Sequence, residues 1–145
     1  MEKAKPYLLE KGDLLFARSG ATAGKSFLFQ EDYPACFAGY LIRASVTPAI
    51  NQEYLFYFTQ SGEYRQWKEA VFIQATIQNI SAEKYCNLPI PLPPLPEQEA
   101  IVERLDRETG KIDRAIEVKR RQIELLRERR QIVIDEVVTG KVKVA

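Results

Sequence analysis

The chain contains no histidine. That removes every histidine-dependent catalytic triad, the usual general base at neutral pH and most zinc-site arrangements. Cysteine is nearly as scarce. Cys36 and Cys86 lie far apart and form no C-x-x-C pair, so they are expected as buried small hydrophobes in a reducing cytoplasm. No apolar run approaches the ~18 residues that a membrane span requires. The start, Met1-Glu2-Lys3-Ala4-Lys5-Pro6, lacks the apolar stretch of a signal peptide. These absences lead to the expectation of a cytoplasmic protein with no membrane partner. Net charge is also nearly absent, at +1. This total decides nothing about nucleic acid, because local patches set the attraction to phosphate.

What is present is enough for one domain and an appendage: 145 residues, 46% hydrophobic and 28% charged. Residues 1–96 carry 9 of the 21 Lys+Arg and 9 of the 20 Asp+Glu, and residues 97–145 carry 12 and 11. Both parts are close to neutral, but the second is far denser in charge and is expected to be a different kind of structure.

Residues 1–96 read as a mixed α/β unit. Gly12-Asp13 is a turn signal, and Leu14-Leu15-Phe16-Ala17 a strand. The small-residue loop Ser19-Gly20-Ala21-Thr22-Ala23-Gly24 follows, with Lys25–Phe29 as a second strand closing a hairpin. Cys36–Ala44 reads as a third strand, in which Gly39 suits a bulge. Tyr54, Leu55, Phe58, Tyr64 and Trp67 recur near helical spacing, and Ser61-Gly62 divides them into two helices. Val71–Ile80 reads as a strand or an ordered loop. Ser81 is a candidate cap for a short helical turn.

Asn87–Pro96 then carries five prolines, each fixing φ and removing a backbone donor. A stiff extended linker is the plain reading; a ligand for a proline-recognition domain is the alternative. A long helix is expected over 97–138. Pro96 is harmless at its start, Glu97, Glu99 and Glu103 suit its N-terminal dipole, and Gly140 suits its end. Such a helix is about 60 Å long, more than 96 residues of domain can cover. Val102, Thr109, Ile116, Ile123, Arg130 and Val137 form one seven-residue series, and Leu105, Ile112, Lys119, Leu126 and Val133 the other. Together they make a coiled-coil seam with polar interruptions at Thr109, Lys119 and Arg130. Glu117–Arg121 and Glu124–Arg127 are candidate supporting charge pairs. A partner is expected, most simply a second copy in a two-fold antiparallel dimer, the alternative being a helix folded back on its own domain.

Ser19-Gly20-Ala21-Thr22-Ala23-Gly24-Lys25-Ser26 nearly matches a phosphate-binding loop, G-x-x-x-x-G-K-[ST]. It fails at Ser19, and the motif needs a helix after it, where Phe27-Leu28-Phe29 reads as a strand. The same residues suit a DNA-facing turn. Arg18 can read guanine, Ser19 and Thr22 can bind phosphate, and Lys25 supplies charge; a plain hairpin with solvated charges is the alternative. Gln78 and Asn79 belong to a second polar cluster of residue types that pair with adenine, the alternative being a capped turn. Neither the cofactor-binding glycine motif nor the catalytic loop of a DNA methyltransferase is present. The chain reads as non-catalytic and free of cofactor and metal.

Several segments in this order resemble one family: Gly12–Gly20, Gly24-Lys25, Gln78–Ser81, Leu88–Gln98, Ile101-Val102, Leu125–Arg130 and Val137–Lys141. The family is the specificity subunit of type I restriction–modification enzymes, and Pro-Glu-Gln before a long helix is its most specific part. The resemblance implies a target-recognition domain over 1–88, a hinge over 89–96, a spacer and docking helix over 97–138 and a tail over 139–145. It implies a DNA-recognition subunit that positions methyltransferase subunits on double-stranded DNA, with restriction subunits joined through them. In the family two such units pair their helices antiparallel. This chain carries one unit, shorter before its first strand than is usual, so a module that binds partner subunits without reading DNA is the alternative function.

Overall fold

The computed structural model describes residues 7–73 and 79–143. The chain divides into two compact units, residues 1–102 and 103–145.

In the first unit, Leu14–Ala17 forms β1, buried at all four positions. A continuous apolar tetrapeptide suits a strand covered on both faces. Ser26–Leu28 (β2) and Leu41–Arg43 (β3) flank it in the order β2-β1-β3, both antiparallel to it. Leu15 lies opposite both Phe27 and Arg43, and Phe16 opposite both Ser26 and Ile42. Then come α1 (Gln52–Phe58), α2 (Gly62–Ile73) and α3 (Ala82–Cys86). Asn51 caps α1 by accepting from the Tyr54 amide at 3.0 Å, and Ser81 caps α3 by accepting from Lys84 at 3.4 Å. Leu14, Phe16, Leu28, Leu55, Tyr64 and Leu88 make the core. The expected mixed α/β domain with a long C-terminal helix is what forms.

Three local expectations are corrected. The third strand is shorter than Cys36–Ala44. Gly39-Tyr40 is a turn, and Cys36 meets only Leu8 in an isolated bridge. Both cysteines are exposed rather than buried, Cys36 on that edge and Cys86 on the last turn of α3. The stretch from Val71 is the end of α2 as far as Ile73, not a strand.

The long helix, α4, spans Leu95–Val138, so it begins two residues before Glu97. Pro94 sits outside it and its carbonyl accepts from the Glu97 and Gln98 amides at 2.9 and 3.1 Å. Pro96 lies within the first turn, where amides have no intrahelical partner to lose. Gln98 is fully buried. Its Oε1 accepts from the Asn51 amide at 2.9 Å, and its Nε2 donates to the carbonyls of Ala49 at 2.9 Å and Pro93 at 2.8 Å. One side chain thus ties the proline segment to the entrance of α1. Tyr54 adds a bond from its hydroxyl to the Pro91 carbonyl at 2.8 Å.

In the second unit, α4 runs on for about 50 Å, ending at Val138. Gly140, at φ 71°, closes it: the amides of Gly140 and Lys141 bond to Val137 and Glu136. This is the Schellman arrangement that glycine permits. Arg107–Glu108, Lys111–Glu108 and Arg121–Glu124 form surface ion pairs at 3.0–3.1 Å. Among the described residues these pairs form, rather than Glu117–Arg121 and Glu124–Arg127.

Candidate nucleic-acid interface

The loop between β1 and β2 is held from both ends. The Ala17 amide bonds to Lys25 at 2.8 Å and the Gly24 amide to Ala17 at 2.9 Å. Inside, Ala23 bonds back to Gly20 and Lys25 to Thr22, each at 2.9 Å. Gly24 has φ 78°, and a β-carbon there would collide with the stem of Lys68. Only glycine meets both demands.

An aromatic floor lies beneath the loop. Tyr64 stacks on Trp67 with ring centroids 5.6 Å apart, and Tyr85 packs on Phe16 at 4.5 Å. Their hydroxyls point up. Tyr64 donates to the Gly24 carbonyl at 2.8 Å and Tyr85 to the Ala17 carbonyl at 3.1 Å. Burial pushes both phenols up, Tyr64 well beyond the ordinary value of 10.0 and Tyr85 to about 12. A raised folded-state value stabilises the fold fully below pH 10.0, and this is lost as pH rises through about 12. Alkaline titration of phenolate absorbance is expected to show these two tyrosines ionising only above pH 10.0, together with loss of the fold. Ionisation of these two near pH 10.0 on folded protein would contradict it.

The two polar clusters of the sequence meet at the end of β1. Ser19 pairs with Asn79 in an antiparallel bridge, and the Ile80 amide donates to the Arg18 carbonyl at 2.9 Å. The Arg18 amide bonds on its other side to Tyr40 at 3.0 Å. The Arg18 backbone is therefore fixed from both sides while its side chain is exposed. Ser19, Thr22 and Lys25 are exposed as well. Asn79 is half-buried, and its Oδ1 has no hydrogen-bond partner among the described residues. An unmet buried acceptor costs about 1–3 kcal/mol. Gln78, assigned with Asn79, lies outside the described residues.

Because β2 rather than a helix follows the loop, the phosphate-loop geometry is not formed. Two cations not singled out from the sequence stand nearby: Arg65 and Lys68 line a cleft with Lys25. Their spacing on α2 sets them beside Tyr64 and Trp67, which face the core. Only the fold shows that Lys25 joins them.

On the helix, Val102 is buried within the first unit at 5% exposure, so it has no surface left for a partner. Leu105 is half-buried, and Lys119 and Arg130 are exposed. Ile112, Ile116, Ile123, Leu126, Val133 and Val137 are all exposed, Leu126 at 63%.

A family model described as the type I restriction modification DNA specificity domain matches residues 1–126. The chain belongs to this family. This specificity-domain chain is 32% identical over 95 residues to the type I restriction enzyme MjaVIII specificity subunit of Methanocaldococcus jannaschii, covering 66% of this chain and 21% of that protein. It is 28% identical over 137 residues to the StySPI specificity subunit of Salmonella potsdam, covering 92% of this chain and 29% of that one. With the EcoKI specificity subunit of Escherichia coli K12 it shares 34% identity over 89 residues, 61% of this chain and 19% of that one. The chain thus spans under a third of the length of these relatives. A solved structure concerned with complex assembly and conformational transition of the type I R-M system shares its fold, with TM-score 0.72 and 22% identity. That match covers 90% of this chain and 31% of the other.

Proposed function

We propose that this specificity domain reads double-stranded DNA for a type I restriction–modification enzyme and positions its methyltransferase subunits on the target site. The observation that carries this reading is the bridge between Ser19 and Asn79, which brings the half-buried Asn79 beside the exposed Arg18, Ser19, Thr22 and Lys25. Arg18 and Asn79 are of the types that pair bidentately with guanine and adenine, and Ser19, Thr22 and Lys25 are suited to phosphates. The domain itself is non-catalytic and uses no cofactor; the chemistry belongs to the subunits it positions, with restriction subunits joined through them in the cytoplasm. Among the described residues no helix is long and apolar enough to cross a membrane.

The test is duplex binding across a salt series. Arg18→Ala with Lys25→Ala is expected to weaken binding at least tenfold and to lower the slope of log affinity on log salt by about 1 to 2. An unchanged slope would remove these residues from the interface. Binding of methyltransferase subunits without any duplex binding by the wild-type chain would instead favour a pure interaction module.

Helix α4 is the docking and pairing element of this reading. Its seam from Leu105 through Ile112, Ile116, Lys119, Ile123, Leu126, Arg130 and Val133 to Val137 is proposed to take a second copy antiparallel, and to present the outer faces of the pair to methyltransferase subunits. Its support is the row of exposed apolar residues along 112–137.

A further inference from the structure

Beside the base-reading surface lies an open cleft of about 280 Å³, walled by the end of the β1–β2 loop, the α1–α2 turn and the first two turns of α2. Three cations line it, Lys25, Arg65 and Lys68, and no carboxylate does. Among the described residues none of the three belongs to an ion pair. Its neutral wall is already satisfied internally. Ser26 and Thr59 hydroxyls bond to each other, and Gln60 Nε2 donates to both at 3.0 Å. Grouped like charges repel one another, and an anion entering among them removes that cost.

Lys68 is not a free arm. Its Cγ and Cδ lie where a β-carbon on Gly24 would stand, so its stem is packed against the loop, and the residue is half-buried. Arg65 and Lys68 are three apart on α2 and so share a face. The cleft therefore has cations from two separate elements, one of them on a packed stem, and room for a tetrahedral oxyanion with an attached sugar.

We propose that this cleft binds one phosphodiester of the DNA backbone, with Lys25, Arg65 and Lys68 as its cationic ligands. This rests on the DNA-reading function and adds the contact that sets the register of the base-reading surface on the duplex. A phosphate contact positions without selecting sequence. Losing it therefore weakens all duplexes alike, while loss of Arg18 or Asn79 is expected to change preference.

The test uses the full chain carrying Arg65→Gln and Lys68→Met, the second keeping the stem that packs on Gly24. Inorganic phosphate is titrated while amide shifts are followed at Ser26, Gln60 and Ser61, and duplex affinity is measured over salt. Wild type is expected to show saturable shifts that the variant loses. The variant should bind every duplex roughly tenfold more weakly, with a salt slope smaller by about 1 and unchanged sequence preference. Phosphate shifts that persist in the variant would overturn the site. Duplex affinity equal to wild type would overturn its assignment to a phosphodiester, leaving free phosphate as its ligand. If wild type binds no duplex yet phosphate saturates the cleft and the variant abolishes this, the DNA reading fails and the anion site stands.

Discussion

Gln98→Leu is expected to lower the stability of the first unit by about 3 kcal/mol or more, among the largest losses any single change in this chain should cause. Leucine fills most of the space but offers no hydrogen bond. The Asn51 amide and the carbonyls of Ala49 and Pro93 then lose their partner, around a side chain that is itself fully buried. Each orphaned group costs about 1–3 kcal/mol, with partial relief as the proline segment shifts toward solvent. For a unit of this size the loss lowers the melting temperature by roughly 12 °C. Trp67, the chain's one tryptophan, packs on Tyr64 inside the unit and reports the transition by fluorescence. The exposed neighbour Gln66→Leu is the control. Equal melting of the two variants would show that the three bonds of Gln98 carry no net stability.

Ile116→Asp with Ile123→Asp is expected to abolish self-association. Both residues are exposed in the single chain, so the charges cost the monomer little. In a paired seam the same carboxylates would be desolvated beside apolar neighbours, and four of them would enter each dimer. A weakening of about 4 kcal/mol, roughly a thousandfold in dissociation constant, is a conservative expectation. Sedimentation equilibrium should show wild type as a dimer and the variant as a monomer, with helix content retained. Wild type remaining a monomer at high concentration would contradict the pairing, and so would a variant as dimeric as wild type.

The clearest parts of this fold in the sequence were those fixed by local chemistry. Leu14–Ala17 reads as a buried strand because all four residues are apolar, and α4 reads as a helix because prolines and Gly140 bracket it. What escaped depended on contacts far along the chain. Nothing in the composition of Ser19 and Asn79 announces that they pair. Arg65 and Lys68 look like the ordinary solvated face of a helix until the loop that carries Lys25 is set beside them. Gln98 stood inside the most recognisable motif, but its purpose is legible only from partners at 49, 51 and 93. Apolar residues from Cys36 onward suit a strand, whereas turn hydrogen bonding delays the third strand to Leu41. Val102 continued the heptad by spacing, yet packing claims it for the first unit.

The central claim is that the surface around Arg18, Ser19 and Asn79 chooses where DNA is modified. Its most direct measurement is the genome-wide methylation profile of a host supplying the methyltransferase subunits, with this chain, without it, and with Arg18→Ala and Asn79→Ala. The account predicts a defined set of modified sites that appears only with the chain and is lost or altered in the variant. An identical profile in all three hosts would contradict it.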